Sequence, residues 1–346
     1  MTASSSPLAG QASERARTGT LLNQVAGYAA LRTVDIGLRR GLFDGLAAHQ
    51  GGLTPAGLAA AARLDPVYVE VWCRSAYAAG VLEANGDAYR LDPVTATLLL
   101  DRDSPAYLGG LVTLIQQPEM FDGFSDRLPT GERTWWDRFT PEFIQAVAQT
   151  SRPSYIRLIP AGLSRVPGLR EVLHGEPDVL ELACGTGFGL VRLAETYRRV
   201  RLVGVDGDAY SLELAARRLE EAGQDDRVDL VLSTLEDLDR AEGFDLALTN
   251  LSMHECRDID KVTDNIRRAL RRGGYFVISD FPFPDTSQAL RTVPGQIMAA
   301  IQLVEAQIGD QLLPTHAYAE LLERHGFTAV GSFELTPLHA VTHGRK

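Results

Sequence analysis

From residue 178 onward, short apolar runs alternate with amphipathic stretches. Residues 179–182, 201–205, 228–232, 244–248 and 275–279 are apolar runs of strand length, bounded by glycine, acid or turn residues. Between them, 190–197, 211–222 and 260–270 carry apolar positions at helical spacing. Strand alternating with helix predicts a doubly wound α/β domain around a parallel sheet. A helical insertion is expected near 287–308. A helix at 317–325 and two closing strands near 329–334 and 338–342 complete the pattern.

The first half of the chain reads differently. Leu22, Val25, Ala29, Val34 and Ile36 recur near one helical face, and Gly41 ends that helix. Thr54-Pro55 and Asp65-Pro66 are N-cap and first-turn pairs that open two further helices. Asn85-Gly86 then joins two short strand segments as a hairpin. Helices followed by a hairpin form a winged-helix pattern. Residues 95–170 look helical but are interrupted by Pro118, Pro129, Pro141, Pro153, Pro160 and Pro167. The expected division is an unstructured tail over 1–20 and a mainly helical winged domain over 21–115. A helical connector follows over 116–170, and a Rossmann-like, mostly parallel α/β domain over 171–346.

Composition narrows the function. The 346 residues carry 34 Lys+Arg against 45 Asp+Glu, a net charge of −11. A general affinity for nucleic acid or anionic membrane needs basic surface, so neither partner is expected. Residues 51–100 hold three arginines against five carboxylates, and the helix starting near Val67 lacks the phosphate-binding cations of a DNA reader. Cys73, Cys184 and Cys256 are far apart, which argues against a disulfide framework or a cysteine-rich zinc site. The first residues lack the apolar core of a signal peptide, and no apolar run reaches membrane-spanning length, so a cytoplasmic protein is expected.

The chemistry begins at Glu181-Leu182-Ala183-Cys184-Gly185-Thr186-Gly187-Phe188-Gly189, where a strand gives way to a helix. Glycines there let a ligand approach the backbone, and the helix N-terminus offers free N–H groups. Asp206 ends the next strand, where a carboxylate can accept both hydroxyls of a ribose. A nicotinamide fingerprint would need a third glycine where Leu190 stands, and Glu181 would repel a pyrophosphate. The same acid suits a ligand bearing an ammonium and a sulfonium, which points to S-adenosyl-L-methionine (SAM).

These residues resemble motif I of the class I SAM-dependent methyltransferases, with Asp206 in the place of the ribose-binding acid. Ala183 stands where the family often has glycine. With the winged N-terminal half, including Ile36-Gly37-Leu38 and Tyr89-Arg90-Leu91, the chain resembles the small-molecule O-methyltransferases of secondary metabolism. The resemblance implies a cofactor site formed by Glu181, Ala183, Gly185, Gly187, Asp206, Gly207, Thr234, Leu235, Asn250 and Leu251. It also implies a homodimer formed through the N-terminal domain, which closes the substrate chamber. Ser233-Thr234-Leu235-Glu236 departs from the family, which usually places an Asp near the adenine.

His254 follows the fourth strand, on the sheet edge that lines the ligand crevice in α/β folds. Relatives place a His followed by Asp here as general base; this chain has His254-Glu255. His254 either takes a proton from an acceptor hydroxyl or orients a loop without titrating. Glu255 either orients it or is a solvated acid. Trp136, Phe139, Met298, Ile301 and Gln302 are candidates for the wall of an apolar acceptor pocket. No metal is expected: Asn250 and Asp280 are present, but Phe281 follows Asp280 where metal-dependent catechol relatives have Asn, and the other histidines lack ligand spacing. The competing readings are non-methylating chemistry on a SAM-binding fold, such as cyclisation, decarboxylation or hydroxylation, and a winged-helix DNA-binding regulator.

Overall fold

The computed structural model describes residues 7–346, with side chains described from Glu14 on. Two units separate. The first comprises the described residues up to Arg102 together with Ala106–Gln116; the second comprises Asp103–Pro105 and Gln117–Lys346.

The first unit contains α1 (Pro7–Arg39), α2 (Leu42–Ala47), α3 (Pro55–Ala62), α4 (Pro66–Ala78), the hairpin β1 (Glu83–Asn85) and β2 (Ala88–Arg90), α5 (Pro93–Leu100) and α6 (Gly109–Leu114). Thr54, Asp65 and Asp92 each cap a helix whose first turn holds a proline. Each cap accepts N–H groups that the helix itself leaves free. Leu53 bridges to Tyr89 and extends the hairpin, completing the helix–helix–hairpin order of a winged helix. The unstructured tail expected over 1–20 is corrected from Pro7 on. Ala, Gln, Glu and Arg dominate this stretch and favour helix despite interspersed Ser, Thr and Gly; residues 1–6 lie outside the described residues.

Phe43 and Trp72 meet edge to face at 5.3 Å in the core of this unit, and Trp72 Nε1 donates to Thr33 O at 2.9 Å. Gly37 packs beneath both rings.

The second unit opens with α7 (Pro118–Arg127), α8 (Pro141–Arg157) and α9 (Leu169–Leu173). Pro118 and Pro141 start helices instead of breaking them, because the first turn needs no N–H at that position. The segment expected as a separate connector belongs to this unit from Gln117 on. The α/β part follows as β3 (Asp178–Leu182), α10 (Phe188–Thr196), β4 (Arg201–Asp206), α11 (Ala209–Glu221), β5 (Val228–Leu232), β6 (Phe244–Asn250), α12 (Ile259–Ala269) and β7 (Leu270–Asp280). The insertion helix α13 (Val293–Ile308), α14 (Thr315–Arg324), β8 (Thr328–Thr336) and β9 (His339–Arg345) end the chain. The seven-stranded sheet has the order β5-β4-β3-β6-β7-β9-β8. All neighbours are parallel except β9, which runs antiparallel to both β7 and β8. Helices on both faces bury the central strands completely at Val179, Leu180, Leu246, Leu248, Phe276 and Val277. The strand expected at 275–279 begins earlier, at Leu270, with an irregular register between Phe244 and Leu246. No helix among the described residues is long and apolar enough to cross a membrane.

A side chain at Gly37 would collide with Phe43 and come within 2.6 Å of Trp72. Gly37→Val is therefore expected to destabilise the first unit by about 1–3 kcal/mol through overpacking, read as a lower urea midpoint at unchanged m.

A candidate methyltransferase active site at the carboxyl edge of the sheet

The order β4-β3-β6-β7 brings the ends of four strands together, and the chemistry-bearing residues follow those ends. At the end of β3, Ala183 adopts φ 47°, a left-handed conformation that favours glycine. The Cys184 N–H donates to Val205 O at 3.0 Å and holds the turn in place. Gly185 and Gly187 continue the turn at φ 52° and 77°. Gly189 opens α10 directly over Glu181: a Cβ there would overlap the Glu181 carboxylate and the Tyr155 ring. Glycine is thus required by close approach, as the motif implies.

Glu181 is fully buried, and neither of its carboxylate oxygens has a hydrogen-bond partner. Burial pushes its carboxyl up to about 8 against the nearby Tyr155 hydroxyl, which favours the ionised form from beyond good hydrogen-bond geometry, and the Asp206 carboxylate adds to the shift. A buried acid without a donor marks a place for a cationic ligand group. Asp206, half-buried, accepts Gly185 N–H at 2.7 Å and Asp208 N–H at 2.9 Å. Burial raises its carboxyl to about 6 even against these two donors. Its oxygens keep lone pairs for further hydroxyl donors. Gly207 is exposed beside Ser233 and Thr234.

Two residues expected at the cofactor have their side chains engaged elsewhere. Thr234 Oγ1 donates to Asp237 Oδ2 at 2.9 Å and caps a turn, leaving the half-buried Leu235 as the apolar surface there. Asn250 donates to Ser154 Oγ at 2.9 Å and accepts from Ser279 Oγ at 2.8 Å, so its amide ties α8 to β7. Ser279 Oγ in turn lies 2.5 Å from Nε2 of His339. Burial lowers that histidine to about 3, so the neutral ring donates from Nε2. Leu251, next in the chain, has φ 57° and donates its N–H to Ser279 O at 2.7 Å.

His254 is buried in a short helical turn after β6. Its Nδ1 lies 2.8 Å from Asp280 Oδ1. Asp280, at the end of β7, also accepts Tyr318 O–H at 2.9 Å and Phe281 N–H at 2.8 Å. Asp280, read from the sequence only as a potential metal ligand, is thus the acid that orients His254. Nε2 faces Glu305 Oε2 at 3.7 Å and Glu255 Oε1 at 3.9 Å. Glu255 is fixed by Trp136, whose indole N–H donates to Oε2 at 3.1 Å. Burial opposes a charged imidazole, but the Asp280 and Glu305 carboxylates outweigh it and hold His254 well above its ordinary value. Burial and Glu305 likewise lift Glu255 well above the usual carboxylate range.

The structure brings Trp136 to this cluster and stacks it edge-on against Phe139 at 5.3 Å. Met298 and Ile301 are buried with Leu312, Phe281 and Phe283. Gln302, expected on the acceptor wall, instead spends its amide on the loop after α13: Oε1 accepts Leu312 N–H at 2.7 Å and Nε2 donates to Asp310 O at 3.1 Å. Glu305 was not singled out from the sequence; its position four residues beyond Ile301 on one helix face was the available signal.

A profile described as a methyltransferase domain matches residues 173–326. Residues 173–326 thus resemble the methyltransferase-domain family. Among curated proteins, the fatty-acid O-methyltransferase of Mycolicibacterium smegmatis is 31% identical over 126 residues, 35% of this chain and 44% of the relative. The malonyl-[acyl-carrier protein] O-methyltransferase of Methylovorus sp. is 30% identical over 166 residues, 46% of this chain and 54% of that protein. The chain thus spans about half the length of the curated relatives it matches. The mitomycin 7-O-methyltransferase MmcR shares the fold at a TM-score of 0.71 and 17% identity, over 97% of this chain and 100% of that one. Human N-acetylserotonin methyltransferase, solved in complex with SAM, aligns at 0.73 and 16% identity, over 100% and 99%. The chain therefore shares the two-part fold of these structures, a helical N-terminal region before a Rossmann-like sheet.

The glycine-rich turn carries a pH signature. Glu181 has a folded pKa of about 8 against an ordinary 4.5. Its contribution is full below 4.5 and is lost as pH rises through 8, because ionisation in the folded state is resisted. For the ligand-free protein, Glu181→Gln should melt higher than wild type at pH 8, by on the order of 2–4 °C for each kcal/mol released. The gap should close toward pH 5.

Proposed function

We propose that the protein is a SAM-dependent methyltransferase acting on a small organic acceptor, with a hydroxyl as the methyl-accepting group. The observation that carries this reading is Glu181, whose buried, unpartnered carboxylate lies beneath a glycine turn that no Cβ could enter. Bound there, SAM supplies an electrophilic methyl carbon on a sulfonium. The chain's own residues do the rest. Glu181 offers its carboxylate to the ammonium of the methionine moiety, with the Tyr155 hydroxyl beside it. Asp206 accepts the ribose hydroxyls, with Gly207 leaving room beside it. Gly185 and Gly187 keep the approach open, and Leu235 offers an apolar surface to the adenine.

At the acceptor side, Asp280 holds the Nδ1–H of His254 and leaves Nε2 to take the hydroxyl proton. Such a positioned base contributes about 10²–10⁴-fold in rate. Trp136, Phe139, Met298 and Ile301 form the apolar wall and exclude water, while Trp136 also fixes Glu255. A base must be neutral to accept a proton, and His254 is held above its ordinary 6.5. Activity should therefore rise with pH, with a midpoint above 6.5.

We further propose that the first unit forms a homodimer. Leu21, Leu22, Val25 and Tyr28 are exposed on α1, and Val67, Tyr68, Val71 and Tyr77 on α4. Exposed large apolar side chains recurring along two helices support association. Arg74 on α4 is paired with Glu70, which is no arrangement for reading DNA. The three cysteines are free thiols, in keeping with a cytoplasmic setting.

Calorimetry with SAM, with NAD as control, tests the cofactor: SAM should bind and NAD should not, and Asp206→Ala should weaken SAM binding at least tenfold. An intact affinity in that variant would overturn the ribose assignment. His254→Ala should bind SAM as wild type does yet lose about 10²–10⁴-fold in turnover. Asp280→Asn should move the midpoint of kcat/KM to lower pH, since the charge that raises it is gone. Val25→Glu combined with Tyr28→Glu should convert a dimer to a monomer in multi-angle light scattering.

A further inference from the structure

The acid groups around His254 exceed what proton transfer requires. Glu305, on α13, is more than nine-tenths buried, yet its Oε2 has no hydrogen-bond partner and is aimed at Nε2 of His254. Asp310 follows just after the helix, its N–H bound to Glu305 O at 2.8 Å, and its Oδ2 is also buried without a partner. Gln302 pins that loop, so Asp310 is fixed in place. Burial and the Glu305 charge raise the Asp310 carboxyl to about 7, against the His254 and Arg257 charges, which lower it. Glu255 Oε1 adds a further acceptor beside Nε2. Against these, no Lys or Arg forms an ion pair with Glu255, Glu305 or Asp310 among the described residues. Arg257 acts on Asp310 through its charge without pairing with it, its guanidinium lying 3.7 Å over the Trp135 ring.

A single imidazole cannot satisfy this set, since its Nδ1 already serves Asp280. Buried acceptors without donors are costly, and a ligand that brings positive charge and several N–H groups offsets that cost. An alkylammonium has three donors. The ring of Phe281 lies 6.0 Å from that of His254, and Trp136 and Phe139 wall the same cluster. Aromatic faces favour an organic cation. A carboxylate-bearing acceptor would instead meet like charge.

Building on the methyltransferase reading, we propose that the acceptor carries a basic amine. Glu305 and Asp310 bind it as an ammonium ion, so that its methyl-accepting atom reaches Nε2 of His254. His254, Glu255 and Glu305 also offer three ligand atoms within 4.8 Å of one another, a spacing a divalent cation could use. The aromatic walls favour the organic cation over the metal.

The test compares tyramine with its neutral counterpart 4-ethylphenol. Each is titrated into the full chain with and without S-adenosylhomocysteine and followed by tryptophan fluorescence. Tyramine should bind at least tenfold more tightly than 4-ethylphenol. The preference should fall to within about twofold in Glu305→Gln and in Asp310→Asn, each checked for an unchanged melting profile. Equal or weaker binding of tyramine, no binding of tyramine, or a preference that survives both substitutions would overturn the proposal. So would displacement of tyramine by micromolar Mn²⁺, which would assign the cluster to a metal. Failure of S-adenosylhomocysteine itself to bind would count against the methyltransferase reading, and the tyramine comparison without it would still decide the amine.

Discussion

One carboxylate organises the reactive edge. Asp280 ends β7 and accepts three donors at once: His254 Nδ1, Tyr318 O–H and Phe281 N–H. It thereby joins the loop after β6, the helix α14 and the start of the insertion. Its charge favours a proton on Nδ1 of His254 and turns Nε2 toward Glu305 and Glu255. A buried acid with three donors is well compensated, whereas Glu181 and Glu305 are buried with oxygens left over. The difference separates a structural acid from acids kept for a ligand.

The cofactor half of the site was legible because it is local. Glu181, Gly185, Gly187 and Gly189 lie within one strand–turn–helix, and Asp206 ends the neighbouring strand, so spacing along the chain translates directly into geometry. The parallel sheet and the winged hairpin were legible for the same reason: caps, turns and periodicity are short-range signals. The tail was misjudged because composition was weighed above helix propensity from Pro7 on.

The proposed acceptor half was legible only in part. His254 could be placed by its strand, but its partner Asp280 lies 26 residues away, and the two meet only once β6 and β7 pair. Asn250 and Gln302 have residue types suited to ligand contact, yet the structure spends both on internal bonds. A side chain's unspent hydrogen-bonding capacity is not written in the sequence; it depends on residues brought near from elsewhere. Glu305 shows the converse, the one charged residue of α13, whose isolation appears only in three dimensions.

The two halves also differ in how they are held. Ala183 and Leu251 adopt positive φ at the ends of β3 and β6, which are neighbouring strands. Such strain costs roughly 1–2 kcal/mol for each residue. It persists here because Cys184 N–H and Leu251 N–H are bound to Val205 O and Ser279 O of adjoining strands. The sheet over-determines the cofactor edge. The acceptor wall has no such frame: Trp136 comes from a segment between helices, Glu305 from α13 and Asp310 from the loop beyond it. Substitutions there can recast the pocket while the strand ends, and the reaction they align, stay in place.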